Sequence, residues 1–80
     1  MEKHRHIAYG VPGIDEGGGE VISQRLQRMP GVHTVTVWLG EQQIDVDYDP
    51  DRVTPEAMER AILQAGYLVQ FVPRSRRWPG

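Results

Sequence analysis

The chain contains no cysteine in its 80 residues. Disulfide bonds and thiolate ligands are therefore excluded, and a thiolate site for a soft ion such as Cu(I) is excluded with them. Long apolar runs are also missing, because no stretch approaches the roughly 20 apolar residues of a membrane-spanning helix. No secretory signal pattern opens the chain. We therefore expect a cytoplasmic domain whose core depends on apolar packing alone.

Basic side chains are scarce in the body of the chain. Residues 7–72 carry ten acidic and four basic side chains, for a net charge of about −6, whereas three arginines follow in the last seven residues. An acidic body would repel a phosphate backbone, which argues against nucleic acid as the main partner. With 39% hydrophobic and 25% charged residues, the composition is typical of one small globular domain.

The hydrophobic pattern predicts six elements in the order strand, helix, strand, strand, helix, strand. This order indicates an α+β, ferredoxin-like βαββαβ sandwich, with a four-stranded antiparallel sheet and two helices on one face. A glycine-rich loop over residues 14–19 precedes the first helix. The predicted strands are 6–11, 32–39, 43–49 and 67–72, and the predicted helices are 20–29 and the segment from Thr54 to Gly66.

Alternation along the strands predicts which side chains face the helices. In the third strand the apolar residues face inward, and Asp45, Asp47 and Asp49 face outward. Trp38 has outward parity, so we expect it on the uncovered face of the sheet, where it is a candidate partner contact. His33 shares the parity of its buried neighbours, which predicts a partly buried edge residue.

Several stretches resemble a known family in their order and spacing. They are Val11-Pro12-Gly13-Ile14, Met29-Pro30-Gly31-Val32, Val46-Asp47-Tyr48-Asp49-Pro50 and Ala65-Gly66-Tyr67. Together they resemble the heavy-metal-associated domain, a copper-chaperone-like module that also occurs N-terminal in heavy-metal transporting P-type ATPases. The resemblance implies a metal loop between the first strand and the first helix. It also implies a residue near Tyr67 that tunes the metal site, although a core role explains Tyr67 equally well.

The chain departs from the family at this metal loop, where the family has two cysteines in a CxxC motif. Counted from Gly13-Ile14, the cysteine positions fall at Glu16 and Gly19. Counted back from the first helix, they fall at Asp15 and Gly18. In both alignments an acid and a glycine replace the cysteines.

The altered loop could hold a metal through oxygen ligands. Asp15, Glu16 and Glu20 lie within six residues, and carboxylates suit divalent ions such as Zn(II), Co(II), Ni(II), Mn(II) or Mg(II). Pliable glycines would let the three carboxylates converge. The alternative is that these acids are solvated and favour a helix N-terminus, worth roughly 0.3–1 kcal/mol each.

Two histidines near the start of the chain are further candidate ligands. The topology places His4 and His6 at the end of the first strand away from the metal loop. They could form a separate weak site with Asp47 and Asp49, which lie at the end of the neighbouring third strand. Exposed histidines near a flexible terminus are the alternative.

The predicted organisation is a flexible N-terminal tail (1–5), the domain itself (6–73) and a basic tail or linker (74–80). Arginines followed by Trp78 resemble a cytoplasmic juxtamembrane segment, with a solubilising tail as the alternative. The sequence thus predicts a non-enzymatic metal-binding or regulatory domain at the N-terminus of a transition-metal transporting P-type ATPase. Its partners would be a divalent metal ion and other ATPase domains, and the alternative is a metal-free protein-interaction module.

Overall fold

The computed structural model describes residues 4–71. The four strands form one sheet in the order second, third, first and fourth along the chain, with antiparallel neighbours throughout, which confirms the α+β ferredoxin-like fold. Within the described residues the last strand is shorter than predicted, and residue 72 of that prediction lies outside them. The elements are β1 (Arg5–Gly10), α1 (Glu16–Gln27), β2 (Val32–Trp38), β3 (Gln43–Tyr48), α2 (Pro55–Gln64) and β4 (Gln70–Phe71).

The core lies between the sheet and the two helices. Tyr9 reaches across it, and its hydroxyl donates a hydrogen bond of 2.7 Å to the Pro55 carbonyl oxygen, which ties β1 to the start of α2. Burial of each aliphatic side chain in this layer is worth about 1.5–3 kcal/mol. Its most deeply buried side chains are Tyr9, Val11, Ile22, Leu26, Ile44, Val46, Met58 and Ile62.

The second helix forms as the sequence predicts. Thr54 is its N-cap and accepts a hydrogen bond from the Ala57 amide at 3.2 Å, and Pro55 occupies the first turn, where its missing N–H costs nothing. Gly66 follows the helix with a φ of 98°, a conformation that favours glycine. Local capping chemistry is sufficient to place both ends of α2.

The first helix begins four residues earlier than predicted, at Glu16 instead of Glu20. Asp15 is its N-cap, and the three glycines that were expected to form a pliable loop lie in the first turns of the helix. Gly19 is buried where α1 crosses the sheet, and a Cβ there would lie 2.9 Å from Val37 Cγ1. The prediction of a loop over 14–19 is therefore wrong, because capping and close packing outweigh the weak helix propensity of glycine.

The second strand contains a register shift between Val32 and Thr34. The irregularity interrupts the alternation, so His33 is exposed, contrary to the predicted partial burial. Its ring stacks on that of His4, with centroids 4.4 Å apart. The parity of position 33 alone could not predict the exposure of His33, because a bulge changes the face of the sheet on which a side chain lies.

The face of the sheet opposite the helices carries polar side chains. We call it the open face and define it by His6, Thr34, Thr36, Trp38, Asp45 and Asp47, whose strand positions alternate with those of the core residues. Trp38 lies there as predicted and is 39% exposed. Neither helix of residues 4–71 has the length and apolar character needed to span a bilayer.

Candidate functional site

Asp15 lies at the start of α1 and is engaged in two hydrogen bonds through one carboxylate oxygen. Its Oδ1 accepts from the Gly18 backbone N–H at 2.7 Å and from the Tyr67 hydroxyl at 3.3 Å. The first bond satisfies an amide that has no partner inside the helix. The second joins the helix start to the segment after α2. Asp15 is thus a capping residue with a tertiary partner.

Tyr67 lies directly over Gly18. A Cβ atom at position 18 would overlap the Tyr67 hydroxyl and lie 2.9 Å from Asp15 Oδ1. No such obstacle exists at Gly17, where a Cβ would meet nothing within 4 Å. The Tyr67 ring therefore occupies the space that a side chain at position 18 would need.

Electrostatics at this contact favour the neutral phenol. Desolvation raises the pKa of Tyr67 above its ordinary value, and both the charge of Asp15 and its hydrogen bond to the hydroxyl raise the pKa further. A protonated hydroxyl can donate to a carboxylate, whereas a phenolate would be repelled by it. The contact is therefore strongest while Tyr67 keeps its proton.

The structure separates Asp15 from the other two candidate ligands. Glu16 and Glu20 are one helical turn apart and line a groove of about 320 Å³ between α1 and β2, whereas Asp15 is bonded towards Tyr67. The groove is also lined by apolar side chains, among them Val37 and Leu39. Among residues 4–71, no three histidine or acidic side chains come together in a group able to hold a metal ion. The site at Asp15, Glu16 and Glu20 stays a prediction.

The geometry distinguishes the two alignments of the missing cysteines. Gly19 is buried and faces Val37 across the helix–sheet contact, so a ligand at that position would point into the core. Asp15 and Gly18 adjoin each other at the helix start, beside Tyr67. Positions 15 and 18 therefore adjoin at the helix start, whereas position 19 faces the sheet.

The histidine candidates are only partly brought together. His6 Nδ1 lies 2.9 Å from Asp47 Oδ1, and His6 Nε2 lies 3.6 Å from Asp45 Oδ2. His4 stacks on His33 instead, and Asp49 Oδ1 accepts from the Asp51 backbone amide at 2.9 Å. The separate weak site considered from the sequence, at His4, His6, Asp47 and Asp49, is therefore not assembled in the described part of the chain.

The burial of Asp45 differs most from what the sequence pattern predicts. Its parity places it on the open face, yet its side chain is only 7% exposed. Trp38 Nε1–H donates to Asp45 Oδ2 at 3.2 Å, and the Gln43 side-chain amide donates to Oδ1 at 2.8 Å. A buried carboxylate requires such donors, and the nearby Trp38 and Gln43 were the only sequence signal that could have indicated them.

Comparison with known proteins identifies relatives of this geometry. The sequence model described as "Heavy-metal-associated domain" matches residues 11–67. The copper chaperone CopZ of Staphylococcus haemolyticus is 39% identical over 49 residues, which cover 61% of this chain and 72% of that protein.

Solved structures agree with the sequence match. The water-soluble region of the P-type ATPase CopA from Bacillus subtilis superposes with a TM-score of 0.82 at 31% identity, covering 86% of this chain and 46% of that one. The N-terminal domain of a potential copper-translocating P-type ATPase from Bacillus subtilis, in its Cu(I)-loaded state, superposes with a TM-score of 0.86. It covers 98% of this chain and 99% of that one at 18% identity, a likeness of fold alone.

Proposed function

Since this chain belongs to the heavy-metal-associated domain family, a family of non-catalytic metal-binding modules, we propose that it is a regulatory interaction domain of a transition-metal transporting P-type ATPase. In this role it contacts other domains of the pump on the cytoplasmic side and carries no Cu(I) itself. The observation that carries the proposal is the Tyr67 hydroxyl, which fills the space over Gly18 and bonds to Asp15. The similarity to the soluble region of a P-type ATPase supports the link to a pump.

Restoring the two thiolates tests whether Tyr67 blocks the former metal position. The variant Asp15→Cys/Gly18→Cys recreates the family's spacing, and a Cβ at 18 must then displace the tyrosine ring. We expect Cu(I) to bind about tenfold more tightly when Tyr67→Ala is added, because overpacking of this kind costs about 1–3 kcal/mol. Competition titration against a Cu(I) chelator measures the difference. Equal affinities with and without Tyr67 would contradict the blocked site.

The coding sequence downstream of Gly80 tests the assignment to a pump. Hydrophobic helices followed by the motif of a phosphorylation domain would support it, whereas a stop codon would contradict it. The interaction role is tested separately, by co-purification of this domain with the remaining cytoplasmic domains of the same pump.

A second candidate function is a divalent-metal sensor that uses Asp15, Glu16 and Glu20. The observation in its favour is that Glu16 and Glu20 lie one turn apart on the same side of α1 and line the same groove. A Zn(II), Co(II) or Ni(II) ion there would have oxygen ligands only and would bind more weakly than at a thiolate pair.

Titration with each of these ions, followed by amide NMR, tests the sensor function. Saturable shifts over residues 15–20 would support it. An Asp15→Ala/Glu16→Ala/Glu20→Ala variant should then lose them, whereas Glu41→Ala/Glu56→Ala should keep them as the control. Shifts confined to His4 and His6 would reject the carboxylate site and place the metal elsewhere.

A further inference from the structure

We propose that the groove between α1 and β2 binds an extended, basic segment of a partner protein, which joins the sheet as a further strand beside β2. The inference rests on the interaction role proposed above and names the surface and the chemistry of the bound segment. The backbone of the segment pairs with β2, and its basic side chains reach two carboxylates on α1. A free strand edge and an acidic groove are the two observations that carry it.

The strand β2 lies at an edge of the sheet. Among the described strands it pairs with β3 alone, so the backbone N–H and C=O groups of alternate residues face away from the sheet. Natural edge strands are commonly protected by charged side chains or proline, yet residues 32–38 contain no lysine, arginine, acid or proline. The bulge between Val32 and Thr34 protects only the first end of the strand. Residues 34–37 therefore present an edge that another strand can extend.

The groove receives side chains of the added strand. Successive side chains of a strand point to opposite faces of a sheet, so every second side chain of the bound segment lies on the helix side. There it meets the groove of about 320 Å³, which is lined by Val35, Val37 and Leu39 from the strand side and by Glu16 and Glu20 from α1. Leu39 is 42% exposed, and covering this apolar surface favours association.

The charge in the groove favours basic side chains. Both Glu16 and Glu20 are exposed, and within residues 4–71 neither takes part in an ion pair. The aliphatic stem of a lysine or arginine can lie along the apolar lining while its cationic head reaches a carboxylate. An acidic segment would be repelled, and an apolar one would remove the carboxylates from water without a partner.

The spacing of the two carboxylates specifies the spacing of the basic residues. Glu16 and Glu20 are four residues apart in α1, which places their Cβ atoms roughly 5–6 Å apart. Side chains at positions i and i+2 of a strand are about 6.6 Å apart. The bound segment therefore has basic residues at alternate positions. Strand β2 of a second copy does not fit, because residues 32–38 contain no lysine or arginine.

A peptide titration on the full chain tests the proposal. The probe is acetyl-Thr-Lys-Val-Lys-Thr-amide, and its control, acetyl-Lys-Lys-Thr-Val-Thr-amide, has the same composition and charge without the alternation. We expect saturable NMR shifts at residues 16–24 and 34–37, and slower hydrogen exchange of the β2 amides that face away from β3. The control should bind roughly two- to fivefold more weakly, because only one of two adjacent lysines can face the groove and one exposed ion pair is lost. Equal binding of the two peptides would overturn the added strand.

Matched variants locate the binding surface. Glu16→Gln/Glu20→Gln should weaken the alternating peptide roughly three- to tenfold, as expected for the loss of two exposed ion pairs. Glu56→Gln/Glu59→Gln removes the same charge from α2 and should leave binding unchanged. Shifts that map to the open face, or no saturable shift at millimolar peptide, would overturn the groove. A domain that fails this titration but co-purifies with the other pump domains would keep the proposed function and lose only this binding site.

Two other occupants of the groove are decided without peptide. Sedimentation of the parent chain at millimolar concentration should give the mass of a monomer. A dimer whose dilution shifts the resonances of residues 34–37 would mean that a second copy occupies the edge, and the proposal would be wrong. In Arg74→Ser/Arg76→Ser/Arg77→Ser the groove resonances should keep their parent positions. Their displacement would mean that this chain's own arginines occupy the groove, which would equally overturn a separate partner.

Discussion

At the scale of single residues, Tyr67 is the side chain that covers the start of α1. The Tyr67 hydroxyl donates a hydrogen bond to Asp15 Oδ1, although the two residues are 52 positions apart in the sequence. The same oxygen caps α1 by accepting from the Gly18 amide. Because a glycine stands at position 18, the ring can approach the helix backbone closely. The start of α1 is therefore a capped helix terminus that a tyrosine covers.

Removing the Asp15 carboxylate should destabilise the domain. Asp15→Ala loses the N-cap acceptor, and we expect the free energy of unfolding to fall by about 0.5–2 kcal/mol. Asp15→Asn keeps an oxygen acceptor for Gly18 and Tyr67, so it should retain most of that stability. Urea unfolding of both variants beside the parent measures the effect. A fully stable alanine variant would show that the cap contributes nothing.

At the scale of elements, α1 is the part in which close packing requires small residues. Its first turns contain Gly17, Gly18 and Gly19, although glycine costs about 1 kcal/mol relative to alanine in a helix interior. Two of the three are explained by contacts, since Gly18 lies under Tyr67 and Gly19 lies against Val37. Nothing in the structure explains Gly17.

The different surroundings of Gly17 and Gly18 predict opposite effects of alanine substitution on the free energy of unfolding. Gly17→Ala has open space around its Cβ and should raise the free energy of unfolding by up to about 0.5–1 kcal/mol. Gly18→Ala must displace Tyr67, so it should gain nothing or lose stability, and the raised pKa of Tyr67 should fall towards its ordinary value. Urea unfolding and spectrophotometric titration of the tyrosines measure the two effects. Identical stabilities for the two variants would refute the contact over Gly18.

At the scale of the whole molecule, a tyrosine also joins the two layers. Tyr9 is fully buried between sheet and helices and donates to the Pro55 carbonyl oxygen. Burial raises the pKa of its hydroxyl, and Coulombic interactions with Tyr48, Glu59 and Glu56 raise the pKa further. Ionisation of this group is therefore linked to the stability of the entire fold.

The free energy of unfolding should fall at alkaline pH. Tyr9 and Tyr67 both have raised pKa values in the folded chain, so above about pH 10 the unfolded chain releases these protons first. The stabilisation they contribute is fully present below that pH and is lost as pH rises further. Urea unfolding at several pH values measures this effect. The free energy of unfolding should decline less steeply with rising pH in Tyr9→Phe than in Tyr67→Phe, because Tyr9 is the more deeply buried residue. An unchanged slope in Tyr9→Phe would contradict this account.

The amino-acid sequence by itself determined the order of the elements, the composition of the core and both ends of α2. These features depend on local information, namely residue alternation, a threonine–proline cap and a glycine after the helix. The absence of cysteine likewise excluded a thiolate site without any structure. Membership of the family rests on the same distributed pattern, which matches residues 11–67.

Only the tertiary structure decided which side chains converge. Three features depend on how separate elements pack against one another. They are the Tyr67–Asp15 hydrogen bond, the hydrogen bond from the Trp38 indole to the buried Asp45, and the bulge that exposes His33. The start of α1 was mispredicted for the same reason. Three glycines in sequence indicate a loop, and only the packing of the helix against the sheet and Tyr67 shows that they are helical. A local pattern specifies the face to which a residue belongs, whereas contacts between distant segments depend on the geometry of the folded chain.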